Sequence, residues 1–176
     1  GQAMVLGNIG NLHYQLGDYL KAAEIQEQAL KIKEELGDRA GAAITIGNLG
    51  AVYSALGDNR RSLETLERAL NLRRELGDRI GAAESLGNIG FAHYLLGDFR
   101  EALRIQEQAL GLMEEIGDRA GMARTLGNIS AIHLALGDFP AALRFEERAL
   151  RLGEEIGNQV WVAEKLVSMA NIHNSL

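Results

Sequence analysis

Apolar and polar residues alternate along this chain with the spacing of an α-helix, most plainly in residues 59–76. In that segment Leu63, Leu66 and Leu70 recur at intervals of three or four positions. Residues three or four apart lie on the same face of a helix, so this spacing predicts a helix that buries one side. The charged residues of the segment fall on the opposite face: Arg61, Glu64, Glu67, Arg68 and Glu75.

A short segment of the type Leu-Gly-Asp interrupts the helical pattern every 20 residues, first at residues 16–18 and last, as Ile-Gly-Asn, at residues 156–158. Glycine readily adopts the left-handed conformation that ends a helix, and Asp or Asn then accepts hydrogen bonds from the first amides of the next helix. Turns this short make consecutive helices antiparallel. The segments predict nine helices, at about 2–16, 19–36, 39–56, 59–76, 79–96, 99–116, 119–136, 139–156 and 159–175.

A longer period of 40 residues is carried by a Gly-Asn-Leu-Gly type of motif, which begins at Gly7, Gly47, Gly87 and Gly127. A fixed period of this length is typical of stacked helical repeats. We therefore expect a single array that fills the chain, and because the chain opens inside a repeat, we expect it to be part of a longer protein. The predicted repeats are 1–38, 39–78, 79–118 and 119–158, followed by an unpaired helix at 159–176.

The helices that carry the motif, here called A helices, differ in pattern from the B helices that follow them. In the second A helix, Ile46, Leu49, Tyr53 and Leu56 share one face, and small or apolar residues flank that face on both sides. Only the stripe that contains Asn48 is left for solvent, whereas a B helix exposes a broad charged face. This contrast predicts an all-α, right-handed superhelical solenoid with A helices on the inner, concave side and B helices outside.

Composition narrows the classes of function. Hydrophobic residues make up 47% of the 176 residues, and the formal net charge is −6. A negative chain is a poor partner for nucleic acid, because phosphate backbones require clustered Lys and Arg. The absence of cysteine excludes disulfides and thiolate metal sites and is compatible with a reducing compartment. No apolar run approaches the roughly 18 residues of a membrane span. We expect a cytoplasmic protein that binds neither nucleic acid nor membrane.

The motif residues Leu49-Gly50, Tyr53 and Gly57-Asp58, followed by the small residue Ala69 in the B helix, resemble the tetratricopeptide repeat (TPR) pattern. The resemblance covers the whole chain and implies an array of antiparallel helix pairs that binds proteins. The period of 40 residues differs from the TPR period of about 34. The longer period is similar to that of Pins/LGN cell-polarity adaptors, kinesin light chains and the repeats of bacterial multi-domain regulators.

Residues that could carry chemistry have simpler structural roles. The four histidines, His13, His93, His133 and His173, share the repeat position of Tyr53. That position lies on the buried face, so we interpret them as packing residues with local hydrogen bonds and predict no metal site. The aspartates of the turns are helix caps. No nucleophile, base and orienting group converge in the pattern, so we expect neither an enzyme nor a cofactor.

The asparagines at position two of the motif are the strongest candidates for a binding site. Asn is a mediocre helix former, so its return at Asn8, Asn48, Asn88 and Asn128 indicates a function or common descent of the repeats. A side-chain amide offers both a donor and an acceptor to a peptide backbone, and asparagines at this position bind peptides in the subgroup that the chain resembles. Alternatively, each Asn ties neighbouring helices together. The predicted peptide-binding residues are Asn8, Asn11, Tyr14, Asn48, Glu84, Asn88, Phe91, Tyr94, Arg124, Asn128 and Leu134.

Three functions are compatible with this sequence. The first is a protein-interaction module that binds a peptide segment of a partner along the concave groove. The second is an architectural segment whose open ends associate with other copies. The third is a regulatory arm of a larger enzyme or transcription regulator. TPR modules that bind a C-terminal carboxylate use several Lys or Arg residues on the groove face, and the A-helix pattern places only Arg124 there, so we do not expect binding of that kind.

Overall fold

The computed structural model describes residues 1–174, and all regular secondary structure in that part of the chain is α-helical. Helices α1 to α9 begin at the predicted residues, and α1 to α8 end at the predicted residue or one before it. The predicted end of α9 at residue 175 lies outside the described residues. Their bounds are α1 Gln2–Gln15, α2 Tyr19–Glu35, α3 Arg39–Ala55, α4 Asn59–Glu75, α5 Arg79–Leu96, α6 Phe99–Ile116, α7 Arg119–Ala135, α8 Phe139–Glu155 and α9 Gln159–His173.

The turns between helices form as the Leu-Gly-Asp segments predict. The glycine of each turn is left-handed, with φ between 69° and 83°, and the Asp or Asn that follows caps the next helix. Asp38, for example, accepts a hydrogen bond of 2.9 Å from the amide of Gly41. Asp98 is the exception, since its side chain makes no capping hydrogen bond within the described part of the chain. The predicted cap is therefore wrong at that one turn.

Helices α1, α3, α5 and α7 lie closer to one another than α2, α4, α6 and α8 do. Each helix packs against its neighbours in the chain, and further backbone contacts join α1 with α3, α3 with α5, and α5 with α7. Over residues 1–174 no comparable backbone contact joins α2, α4, α6 and α8 to one another. Because helices on the inside of a curve are the more crowded ones, the A helices line the inner side of the solenoid.

The core between the two layers confirms most of the predicted packing faces. Ile46, Leu49 and Tyr53 of α3 are at most 5% exposed, and Leu66 of α4 is 1% exposed. Leu56, which the pattern places on the same face, is 38% exposed because it follows the last residue of α3. The layers approach each other closely at the second glycine of the motif. There the Ser62 hydroxyl donates a hydrogen bond of 2.8 Å to the backbone oxygen of Gly50.

The outer layer is joined by ion pairs between successive B helices. Arg61 of α4 reaches Glu27 of α2 at 3.2 Å, and Arg148 of α8 reaches Glu114 of α6 at 3.6 Å. Exposed pairs of this kind contribute about 0–1 kcal/mol each. They hold long side chains in a solvated layer. None of the described helices is long and apolar enough to cross a membrane.

Candidate functional site

Two adjoining depressions lie on the inner side of the solenoid. The larger spans α1, α3 and α5 with a volume of about 320 Å³, and the smaller spans α5 and α7 with about 190 Å³. They share Asn88 and Phe91, so they form one continuous surface, here called the inner groove. The larger is lined by Tyr14, Ala51, Ser54, Ala55, Leu66, Asn88, Phe91 and Leu95. The smaller is lined by Glu84, Gly87, Asn88, Phe91, Met113, Arg124, Thr125 and Asn128.

The motif asparagines lie on this inner side, but they are not equivalent. Within residues 1–174, the side chains of Asn8, Asn88 and Asn128 make no hydrogen bond to the protein. Asn48 instead donates to the side-chain oxygen of Asn11 at 3.1 Å. Helix packing therefore does not use three of the four amides, whereas Asn48 ties α3 to α1.

Asn11 is the most constrained of the predicted site residues. Its side-chain oxygen accepts hydrogen bonds from Asn48 and, at 2.7 Å, from the amide nitrogen of Gln26. Gln26 is 1% exposed and also donates to the backbone oxygen of Gly7 at 3.1 Å. The Asn11 oxygen is thus committed to the junction of α1, α2 and α3. The sequence pattern of a single helix could not show this contact, because both donors come from other helices.

Aromatic side chains supply the apolar part of the inner groove. Phe91 is 41% exposed, and its ring lies 6.0 Å from the ring of Tyr94. The Tyr94 ring in turn lies 5.9 Å from the ring of Phe99. Tyr14 lines the larger depression and packs against Tyr19 at 5.4 Å. Leu134 is half-buried and lines neither depression. Exposed rings on a concave surface are well suited to bury apolar side chains of a ligand.

Basic side chains from outside the A-helix pattern also approach the A helices. Arg124 lines the smaller depression as expected. Glu84 lines the same depression as Arg124, and its carboxylate lies 3.4 Å from the guanidinium of Arg73 of α4. The negative charge of Glu84 is therefore partly neutralised. Lys33 of α2 and Lys165 of α9 approach Gly7 and Gly127 of the motif but line neither depression. Among the described residues that line the two depressions, Arg124 is the one basic side chain, as the A-helix pattern predicts.

The histidines lie beside helix caps. The Nδ1 atoms of His13, His93 and His133 lie 3.3–3.6 Å from the carboxylate of the Asp in the following turn. His133 also stacks on Phe145 at 5.3 Å. Among residues 1–174, no three His, Cys, Asp or Glu side chains form a group that could hold a metal ion. The packing role is confirmed for His133, but the predicted local hydrogen bonds are wrong for His93 and His133, because their buried Nδ1 atoms have no hydrogen-bond partner in the described part of the chain.

The outer side also has depressions, of different character. One depression of about 500 Å³ is lined by residues of α4, and most of them are charged. It is a shallow surface, because the described residues that line it belong to a single helix. Another lies between α2 and α4 at Tyr53. The Tyr53 hydroxyl donates a hydrogen bond of 2.7 Å to Glu27, and Arg61 lies 4.1 Å above its ring. Burial, followed by this hydrogen bond to a carboxylate, raises the pKa of Tyr53 from 10.0 to about 12.

The terminal helices expose apolar faces that internal helices bury. Val5 and Leu12 of α1 are 53% and 55% exposed, whereas Val52, one repeat after Leu12, is 2% exposed. Val160 and Val167 of α9 are 71% and 61% exposed. Each internal A helix packs between two B helices. Among the described residues, α1 and α9 each pack against only one B helix, and their other side is therefore uncovered.

The stacked helix pairs and their concave inner side define a helical-repeat protein. The profile of the tetratricopeptide repeat family matches residues 1–75 and 77–155. The chain therefore belongs to the tetratricopeptide repeat family, and it is a protein-interaction module. A search of curated protein sequences gave no match.

Solved structures with the same fold come from several kinds of protein. BtubC from P. vanneervenii is 26% identical, with a TM-score of 0.78 over 89% of this chain and 65% of its own. A Rap protein complexed with Competence and Sporulation Factor is 18% identical, with a TM-score of 0.86 over 93% of this chain and 45% of its own. Nearly identical kinesin-light-chain-like TPR repeats from Podosopora anserina are 15% identical, with a TM-score of 0.71 over 98% of this chain and 95% of theirs. The chain thus spans less than two thirds of the length of the first two.

Proposed function

We propose that the inner groove binds an extended segment of a partner protein, which crosses the A helices. The observation that carries the proposal is the continuity of the two depressions through Asn88 and Phe91. At this point an amide that makes no hydrogen bond to the described protein stands beside an exposed ring. The Asn88 amide can form hydrogen bonds with the backbone of a peptide, and the Phe91 ring can pack against an apolar side chain.

The rest of the inner groove supports a peptide better than a small molecule. The surface is long, shallow and mixed in polarity, and its polar groups recur at the spacing of the A helices. A ligand that extends across several helices would use this repetition. The Rap relative is recorded in complex with Competence and Sporulation Factor, so an array of this form can bind a second molecule.

Variants of single asparagines test the proposal. Peptides would be selected from a random display library on the wild-type chain, and their dissociation constants measured. One hydrogen bond contributes a net of about 0.5–1.5 kcal/mol, so Asn88→Ala should weaken binding roughly 2- to 13-fold. Asn128→Ala should act similarly, and the effects should multiply in the double variant if the sites are independent.

Asn71 provides a matched control on the other side of the solenoid. It is an exposed asparagine of α4 that lines only the outer depression, so Asn71→Ala should leave peptide binding unchanged. The double variant at 88 and 128 should keep its thermal stability, because these amides make no contact that holds helices together. Equal losses from Asn71→Ala and Asn88→Ala, or no loss from either, would refute binding in the inner groove.

Self-association is a second candidate, favoured by the exposed apolar faces of α1 and α9. The two faces belong to helices of the same type. A direct end-to-end stack of two copies would therefore place an A helix against an A helix. In the interior of the array, by contrast, each A helix packs between two B helices. We infer that such association is weak and that it serves the first function by bringing several grooves together.

A further inference from the structure

A depression with an apolar floor opens on the outer side of the solenoid, between α2 and α4, and is here called the outer cleft. It has a volume of about 320 Å³, which is at the lower end of the range of ligand pockets, roughly 300–1,000 Å³. Its floor is formed by Ile46, Leu49 and Tyr53 of α3, and Leu30 of α2 borders it. The three floor residues are at most 5% exposed, so the outer cleft reaches down to the core between the two layers.

Thr65 of α4 leaves the outer cleft open. The other B helices carry a larger apolar residue at the same repeat position: Ile25, Ile105 and Phe145. Ile105 is 5% exposed and belongs to a buried cluster with Leu86 and Ile89, which lie one repeat after floor residues of the outer cleft. In that repeat the protein therefore covers the corresponding floor itself. Thr65 is shorter, and its hydroxyl donates a hydrogen bond of 2.7 Å to the backbone oxygen of Arg61 in its own helix.

Phe145 shows which group fits such a space. In the fourth repeat it packs against a buried cluster of α6, α7 and α8 that includes Leu110, Leu126 and Ile129. These residues lie two repeats after three residues that line the outer cleft: Leu30, Ile46 and Leu49. The outer cleft therefore has the floor on which the fourth repeat places a phenyl ring, but it lacks the ring.

The groups around Phe145 also have counterparts in the outer cleft. The Phe145 ring stacks on His133 at 5.3 Å, and the guanidinium of Arg148 lies 5.9 Å from its centre. Two repeats earlier these positions hold Tyr53 and Arg68, and both line the outer cleft. An aromatic ring gains from contact with a second ring and with a cation, whereas an aliphatic side chain gains only from burial. The outer cleft therefore suits an aromatic side chain.

The charges at the rim of the outer cleft are not balanced. Arg61 forms an ion pair of 3.2 Å with Glu27, and Arg68 pairs with Glu34. Glu64 also lines the outer cleft, but within residues 1–174 it forms no ion pair. This carboxylate is complementary to a cation, so a Lys or Arg next to an aromatic residue of a ligand would be attracted to it.

We propose that the outer cleft binds an aromatic side chain of a partner protein, at a place where the partner segment carries Lys or Arg beside the aromatic residue. The partner's ring would occupy the space that Phe145 fills in the fourth repeat. Phe145 enters that space as a side chain from a backbone at the surface, which favours a protein segment over a small molecule. The outer cleft lies on the side of the solenoid opposite to the inner groove, so this inference does not rest on the proposed function.

Peptide pools that differ in a central triplet test the proposal. The probes are amidated random 12-residue pools with Lys-Phe-Lys, Lys-Ala-Lys or Gln-Phe-Gln at the centre, and their retention on the immobilised chain would be measured. Burial of a phenyl ring should raise the retention of Lys-Phe-Lys about tenfold over that of Lys-Ala-Lys. An exposed charge pair contributes less, so Lys-Phe-Lys should exceed Gln-Phe-Gln by about 1.5- to 5-fold, and added salt should reduce that difference.

Variants of α4 locate the effect. Thr65→Phe supplies a ring of the protein's own, as the fourth repeat does, and it should abolish the preference for Phe over Ala. Asn71→Phe is the matched control, because it adds the same ring at an exposed position of α4 that does not line the outer cleft, and it should keep the preference. Glu64→Gln should remove the preference for Lys over Gln and leave the preference for Phe over Ala.

Two further variants keep the test decisive if Thr65→Phe does not fold, which circular dichroism would show. Thr65→Ile introduces the residue of the first and third repeats, and it should also abolish the preference for Phe. Phe145→Thr makes the reverse exchange and opens the corresponding space in the fourth repeat. It should therefore raise the retention of the Gln-Phe-Gln pool above that of the wild type.

The outcomes distinguish this inference from the proposed function. Equal retention of the Lys-Phe-Lys and Lys-Ala-Lys pools by the wild type, or a preference for Phe that survives both variants of Thr65, would overturn the outer cleft as a binding site. Peptides selected on the inner groove would in either case still respond to Asn88→Ala. Binding of indole to the wild type that is lost in Thr65→Phe, without any preference among the pools, would identify a small aromatic molecule as the occupant and overturn the protein partner.

Discussion

Replacement of Gly50 by alanine should destabilise the protein, whereas the same replacement at Gly87 should stabilise it. Both glycines are in the interior of an A helix, three positions apart in the motif. A Cβ at Gly50 would stand 2.5 Å from Cγ and 2.6 Å from Cδ2 of Leu66, which is 1% exposed. A Cβ at Gly87 would meet only the methyl of Met113, at 3.9 Å, which is an ordinary contact.

The magnitudes follow from two opposing effects. Alanine in a helix interior is about 0.5–1 kcal/mol more favourable than glycine, and this gain should appear in full at Gly87. An extra methyl group in a packed core costs about 1–3 kcal/mol. Leu66 borders the larger depression but is 1% exposed and packs in a cluster with buried residues of α4, α5 and α6. We expect a net loss of about 1–2 kcal/mol for Gly50→Ala.

Urea unfolding followed by circular dichroism would measure both changes as shifts of the midpoint at constant slope. Gly111→Ala is the matched control, because it lies in α6 with no atom within 4 Å of the added Cβ and therefore reports helix preference alone. Gly50→Ala as stable as Gly111→Ala would refute the packing argument. Gly87→Ala should also weaken peptide binding, because its methyl group narrows the inner groove beside Asn88.

Two other properties can be tested by simple measurements. Stability should fall between pH 10 and about 12, because unfolded Tyr53 loses its proton near 10.0 while the folded residue keeps it to about 12. This loss, at most about 2–3 kcal/mol, should disappear in Tyr53→Phe, and a fall of the same size in that variant would contradict it. The exposed face of α1 should cause weak, concentration-dependent association in sedimentation, reduced by Leu12→Glu. A wild type that stays monomeric at high concentration would refute this.

The sequence predicts the helices and turns well because each signal is local. The left-handed glycine and the capping side chain lie within three residues of the helix ends that they set. Asp38 caps α3 through Gly41, as its position predicts. The 40-residue period then fixes which helices are equivalent, and the stripe left open on each A helix locates the asparagines on the inner side. Asn88 and Asn128 line the inner groove for this reason.

Contacts made by long side chains between helices are outside the reach of this reasoning. Lys33 belongs to a B helix, and its ammonium reaches the Thr45 hydroxyl only because α2 packs against α3. Gln26 reaches Asn11 in the same way. The one sequence signal for such a contact was a basic residue, Lys33, at a position of a B helix that the pattern buries. Its target depends on the packing of helices, which no single-helix pattern contains.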